Sequence, residues 1–479
     1  MIAGTFVVLI DVLVLTQGLI VTRVLGPSEI GLYGIASVFA LSLIGLKRVG
    51  IDEAFVAQEE PDQEREFQIA FTLDLALAAT CAVAIAALAP LVALVWRNDR
   101  LVGITAALAY LPVALALQAP MWVFFRRMDY ARQRSLQAVQ PAVAIVVTVP
   151  LALVGVGVWS IVIGQAAGYA VAITAGVRIS PYRLRLRFDG QAARRYLHFS
   201  APIFVTAVAA LLIAQGQTLT FKLHGGLAAA GFITLAVLLT RYVDRADQIV
   251  TAAIYPAICA IKDHTRRLEE LFVKSNRATL LWVMPFSGAL VLFAPDVQRL
   301  ILGPRWHPAV VLVQGLAVAT AIAQLGFNWF AFYRARGDNR PAAIESCVGA
   351  VMFLILAIPG LLLAGAGGFV AGRIVGVLVV AAVRRYYVRR LLPGVRYATI
   401  VRPALMPVLA AAGSVVLVRV ASWGDGRPVV QAALELALFV VVYMIAITRS
   451  ERRLMGELLG GLRGRGSRSE SLDPARELH

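Results

Sequence analysis

The sequence predicts an all-α, polytopic membrane protein of about 14 transmembrane helices, built as two six-helix lobes related by a parallel internal repeat, with two further C-terminal helices. Three observations carry this. Of 479 residues, 59% are hydrophobic and 15% charged, at a mean hydropathy of +0.78, whereas globular chains average about a quarter charged residues. The apolar residues gather into windows of about twenty, the length that crosses a hydrocarbon core. Basic residues fall unequally on the two sets of connections, as one fixed orientation requires.

The windows are roughly 2–22, 30–46, 69–95, 101–125, 136–153, 159–177, 200–220, 227–260, 278–297, 308–331, 342–363, 369–387, 403–422 and 429–447. They are called spans 1 to 14 below. No secretory signal precedes the first, which reads as a span that stays in the bilayer. With both termini cytoplasmic, the connections after even spans, the tail and the adjoining end of span 12 hold 34 Lys and Arg, the other face eight including Arg419 at the end of span 13, and Arg241, Arg245 and Arg373 fall deeper inside spans. On a soluble chain a net charge of +17 would suggest nucleic acid; here it reads as positive-inside topology in a cytoplasmic, or inner, membrane. Cys81, Cys259 and Cys347 offer neither a disulfide framework nor a metal cluster.

Loop lengths narrow the function. The longest outer connection, 298–307, has ten residues and the longest cytoplasmic one, 47–68, has 22, so no extramembrane domain fits in either. The tail, 449–479, is Gly/Ser/Arg-rich and reads as disordered; contact with anionic lipid headgroups is the alternative to a solvated tail.

Two stretches echo each other at an offset of 208: Arg126 with Arg334, Gly164 with Gly372, Gln165 with Arg373, and Gly168 with Gly376. A second echo pairs RVLGPSEIGLYGIA from Arg23 with KLHGGLAAAGFITLA from Lys222, given one inserted residue. Both echoes relate elements six spans apart, an even number, so the halves share one orientation about an axis along the membrane normal. The expected organisation is an N-terminal lobe over 1–177, an interfacial amphipathic linker over 178–199, a C-terminal lobe over 200–390, spans 13 and 14 over 391–448, and the tail. In the linker, Arg183, Arg185 and Arg187 alternate with apolar residues and would lie among headgroups. The GxxxG spacings at Gly164/Gly168 and Gly372/Gly376 suit close helix packing.

The segments VTRVLGPSEIGLYGIASV, AFVAQEE, EFQIAFTLDLAL, VFFRRMDYARQ, LRFDGQAARRYLHFSAP and LILGPRWHPAVVLVQGLAV, in this order, resemble the polysaccharide-transporter, or oligosaccharide flippase, branch of the multidrug/oligosaccharidyl-lipid/polysaccharide exporter superfamily. The resemblance runs from about Val21 to Tyr387. It implies a transporter, not an enzyme, that carries undecaprenyl-diphosphate-linked oligosaccharide between leaflets by alternating access, with spans 13 and 14 outside the lobes. Its implied partners are the lipid-linked oligosaccharide, membrane lipids and other polysaccharide-assembly proteins. Where the family often has an acid in span 7 this chain has Gln217, and where Asn is frequent in span 3 it has Asp74. Relatives carry a short basic segment before span 1, whereas this sequence opens directly in the span.

Ionisable residues at depth need a partner, a cavity or an interface, because burial costs about 2.5–3.5 kcal/mol even on lenient scales. Asp11, about 14 Å into span 1, is either a protonated packing carboxyl or a proton or sodium coupling site. Asp74, near the cytoplasmic edge, suits an interfacial hydrogen bond better than coupling, and Glu435 in span 14 suits helix packing. Span 8 carries RYVDRADQ, in which Arg241, Asp244 and Arg245 share a face of one long helix. Arg373 lies near the outer edge of span 12. Its simplest role is snorkelling; with Arg241 and Arg245 it could also offer cationic footholds for a diphosphate. No cofactor is expected beyond a coupling ion, and no nucleophile triad, HExxH, P-loop or CxxC pattern occurs. An ion-coupled drug or metabolite antiporter of the same superfamily is the second reading. A membrane glycan polymerase or ligase is the third, opposed by the short outer loops.

Overall fold

A computed structural model describes residues 2–451 other than 48–50, 59, 128, 191–200, 244, 337, 339 and 422–427. Among these residues every regular element is a helix, the arrangement in which a backbone inside lipid satisfies its own hydrogen bonds. Ten helical stretches are long and apolar enough to cross a membrane, and two shorter apolar helices, Leu13–Leu25 and Ala309–Ala323, accompany them. The protein is therefore a multi-pass membrane protein.

Several windows differ in detail from the sequence reading. Spans 7 and 8 form one helical stretch, Ala201–Thr240, broken at Gly225 and at Gly226, where φ is 72°. Spans 11 and 12 are likewise divided inside Ile358–Leu391 at Ala364 and Gly365, with φ of 61° at the glycine. A left-handed φ is strained for any residue with a Cβ, so these glycines separate helices that hydropathy alone would run together. Span 4 is three pieces, Arg100–Ala107, Tyr110–Leu117 and Pro120–Arg126. Pro112 and Pro120 near the starts of the second and third lack the N–H that would continue the preceding helix.

Span 8 corrects the expectation of one long helix. The chain leaves helical geometry at Arg241–Val243 and resumes at Arg245–Ala260. Arg241 and Arg245 therefore do not share a face of a continuous helix, and Asp244 lies outside the described residues. Broken spans are tolerated at depth where protein or a cavity, rather than lipid, surrounds the freed backbone.

The internal repeat is visible as paired contacts. A Cβ on Gly31 would collide with the Leu227 carbonyl, one on Gly231 with the Pro27 carbonyl, and one on Gly34 with the Thr234 hydroxyl. Residues 27, 31 and 34 thus meet 227, 231 and 234 reciprocally, in the register of the second echo. The first echo holds as well. Gly164 packs on Thr148 and Gly168 on Gln140 and Ala144, while Gly372 packs on Leu356 and Gly376 on Met352. Arg126 lies 5.7 Å from the Phe55 ring centroid and Arg334 lies 5.6 Å from that of Tyr255.

These contacts place the core. One buried cluster, including Leu32, Ile85, Ile104 and Val162, belongs to the first half apart from Ala230, and another, including Phe272, Trp329, Phe332 and Ile400, to the second. A third mixes the halves, joining Val21, Ile30 and Ile161 to Ile233, Trp306 and Phe369. It lies at the end of the molecule opposite the Arg- and Lys-rich connections. There Arg23 also donates to the Ile301 carbonyl at 2.8 Å. The halves are thus joined at this closed end.

The expected amphipathic stretch falls on residues 191–200, outside the described ones, and ahead of it the segment from Ser180 to Asp189 is extended along the start of the helix Gln63–Trp96. The Arg187 N–H donates to the Thr72 hydroxyl at 2.8 Å and the Arg183 N–H to Glu64 at 3.1 Å. Its alternation turns Tyr182 and Leu184 onto the cluster around Phe55 and Phe67 and leaves Arg183, Arg185 and Arg187 exposed. Most of the basic tail lies outside the described residues.

Candidate substrate cavity

Between the halves lies a cavity of about 370 Å³. Spans 1, 2, 5, 6 and 8 line it, each with residues spaced three or four apart, the spacing that keeps side chains on one helix face, and span 4 adds Leu111. In span 2 these are Ile30, Tyr33, Ser37 and Leu41, and in span 8 they include Thr234, Leu238 and Arg241. Exposure along span 2 rises from 6% at Ile30 and 8% at Ser37 to 57% at Leu41, so the cavity opens away from the closed end, toward the basic connections.

The lining is polar but sparsely charged. Gln165 donates to the Tyr33 hydroxyl at 2.7 Å, and Gln17 donates to the Thr148 hydroxyl at 3.1 Å. Among the described residues lining it, Arg241 carries the sole charge. The break in span 8 explains how an arginine comes to stand there. Tyr242 and Val243 are buried, at 5% and 0% exposure, and the Tyr242 carbonyl accepts from the Trp282 indole N–H at 3.4 Å. They fix the turn in the second half while Arg241 itself remains exposed, 5.4 Å from the Tyr242 ring. The helix ending at Thr240 presents the negative end of its dipole there, which favours a cation.

The other predicted residues are placed as follows. Asp74 pairs with Lys47 at 2.9 Å, with side-chain exposures of 14% and 9%, beside a second cavity of about 380 Å³. Arg373 is not among the described residues lining the cavity of Arg241. Its guanidinium lies 5.8 Å from the Phe353 ring and its Nε is buried with no hydrogen-bond partner among the described residues. The side chains of Asp11 and Arg245 lie outside the described ones. Gln217 is buried at 8% exposure.

The sequence reading did not single out Tyr33, Tyr169, Gln17 or Gln140 as cavity residues, and it noted Gln165 only as part of a repeat. Their signal is a polar residue recurring at helical spacing on an otherwise apolar span. It gave Glu435 a packing role without foreseeing its partners, which among the described residues are the other members of a buried charge cluster. Arg419 donates to Glu435 at 2.7 Å and to Asp296 at 2.8 Å, which ties spans 13 and 14 to span 9.

Comparison with known proteins agrees with this architecture. A family model described as "Polysaccharide biosynthesis protein" matches residues 20–311. The succinoglycan biosynthesis transport protein ExoT of Rhizobium meliloti (strain 1021) is 23% identical over 471 residues, covering 94% of this chain and 92% of the relative. Among solved structures, the lipid II flippase MurJ in an inward closed conformation superposes with a TM-score of 0.72 at 12% identity, covering 95% of this chain and 99% of that one. A multidrug resistance MATE family transporter of the MOP superfamily, facing inward, gives 0.67 at 15% identity, covering 81% and 96%.

Proposed function

Since the chain belongs to the polysaccharide biosynthesis protein family, we propose that it flips a lipid-linked oligosaccharide, joined to its polyprenyl carrier through a diphosphate, across the cytoplasmic membrane by alternating access. The observation that carries this reading is Arg241, the single charge among the described residues of a polar cavity that lies between two halves joined at one end. A lipid diphosphate must bring its charge through a medium that strongly disfavours it. A guanidinium at the cavity lowers that cost through paired, charge-assisted hydrogen bonds.

The positive-inside rule puts the basic connections, and so the mouth of the cavity, in the cytoplasm. Substrate then enters from the cytoplasmic leaflet, and separation of the halves at the closed end releases it on the other side. In this reading Asp11 is the coupling carboxyl for a proton or sodium ion, while Asp74, already neutralised by Lys47, is positional. Arg241 also argues against the antiporter reading for cationic drugs, which an arginine would repel.

The test is transport in liposomes with a defined lipid-linked oligosaccharide. Arg241→Gln should abolish flipping per folded molecule, and Arg241→Lys should retain part of it because charge survives while the fork geometry is lost. Full transport by Arg241→Gln would overturn the assignment.

A further inference from the structure

The second cavity, at the basic end of the first half, continues the first. It is lined by Ile44, one turn beyond Leu41 on span 2, by Leu115, one turn beyond Leu111 on span 4, and by Gln137, one turn before Gln140 on span 5. The same three spans therefore line both, and the lining on span 4 extends from Leu111 across the break before Pro120 to Phe125.

The chemistry of this trench is distinctive. Gln118, Gln133 and Gln137 line the second cavity and Gln17, Gln140 and Gln165 the first. The charged groups that face the second cavity largely cancel, since Lys47 pairs with Asp74, leaving Asp52 at the exposed rim. An amide offers two donors and an acceptor without a charge. It thus suits a ligand made of neutral hydroxyls, each of which both donates and accepts, better than an ion or an apolar molecule. Trp122 adds a flat apolar face of the kind that covers the C–H side of a pyranose ring. One acceptor already stands waiting: the Gln133 carbonyl oxygen is buried with no hydrogen-bond partner among the described residues, a costly state for a polar atom.

We propose that this glutamine-lined trench is the subsite for the sugar chain of the substrate, holding neutral pyranose units while Arg241, level with Leu41 where the two cavities meet, holds the diphosphate. The inference rests on the flippase reading and divides the work between two sites. The trench selects for the glycan, and the arginine selects for the linkage common to every such carrier.

Two probes separate the roles, polyprenyl diphosphate bearing a neutral glucose tetrasaccharide and bare polyprenyl diphosphate, each titrated against the full chain in nanodiscs. The wild type should bind the glycosylated lipid more tightly. Gln118→Ala/Gln133→Ala should weaken the glycosylated lipid by about tenfold, the loss expected for two hydrogen bonds, and leave the bare lipid unchanged. Trp122→Phe should keep more of the sugar preference than Trp122→Ala. Arg241→Gln should weaken both lipids alike. Equal wild-type affinity for the two probes, or a glutamine variant that loses both or neither, overturns the sugar subsite and leaves the flippase reading standing if Arg241→Gln still weakens both. If Arg241→Gln weakens neither probe, the flippase reading itself fails.

Discussion

Arg419 in span 13 donates to Glu435 in span 14 at 2.7 Å, and the carboxylate is 2% exposed. The same guanidinium reaches Asp296 at 2.8 Å and the Leu292 carbonyl at 3.0 Å, both on span 9. One arginine thus fastens both C-terminal helices to the second half. The Tyr443 hydroxyl, which donates to the Leu281 carbonyl at 2.7 Å, adds a second tie.

Removing one partner of a buried ion pair leaves an uncompensated charge, typically at a cost of 3–5 kcal/mol. Arg419→Met should therefore lose about 3 kcal/mol and lower the thermal midpoint of the purified protein. Adding Glu435→Leu and Asp296→Asn should recover most of the loss, because neither carboxylate is then left without its arginine. An unshifted midpoint in Arg419→Met would show that the helices are held by apolar packing alone.

The contacts of Gly31 and Gly231 give a second prediction. Neither position has room for a side chain against the opposing carbonyl, so Gly31→Leu or Gly231→Leu should force spans 2 and 8 apart at the closed end. A cysteine placed at Ile30, which is 6% exposed, in a background freed of the three native cysteines, should then react with a maleimide at least about tenfold faster, the change that follows when a buried contact worth more than about 1.4 kcal/mol is lost. Unchanged reactivity in folded protein would mean that this contact does not hold the end shut.

Orientation is the third. Leu223 lies at the closed end and is 68% exposed, whereas Ser135 is exposed among the basic connections. In intact cells a cysteine at Leu223 should react with an impermeant thiol reagent and one at Ser135 should not. The reverse pattern would place the cavity mouth outside and invert the direction of transport.

What the sequence disclosed depended on the kind of interaction. The apolar spans were legible because transfer into lipid is summed residue by residue. The repeat was legible because glycines at close helix contacts cannot drift to other types without collision, and Gly164, Gly168, Gly372 and Gly376 do pack as their spacing suggested. The break at Arg241–Val243 was not. Its cause is tertiary, namely the burial of Tyr242 and Val243 against the second half, and although the run RYVDRADQ lowers the hydropathy there, charges that could pair along one helix face gave no ground to break the helix. The Lys47–Asp74 and Arg419–Asp296 pairs join residues 27 and 123 positions apart, beyond the reach of any local pattern. Nor could Arg373, at a position equivalent to a cavity glutamine, be separated from Arg241 by its chemistry, since both are arginines inside spans.

The reciprocity between residues 27–34 and 227–234 is what a symmetric dimer shows at its twofold axis, where one patch meets its own copy. In this chain the two copies are covalently joined, so each has been free to diverge from the other. The first half keeps the glutamines and the second contributes the arginine, an asymmetry that two identical subunits could not have. At the axis, by contrast, a side chain on either copy would strike the backbone of the other, and Gly31 and Gly231 stand there in both.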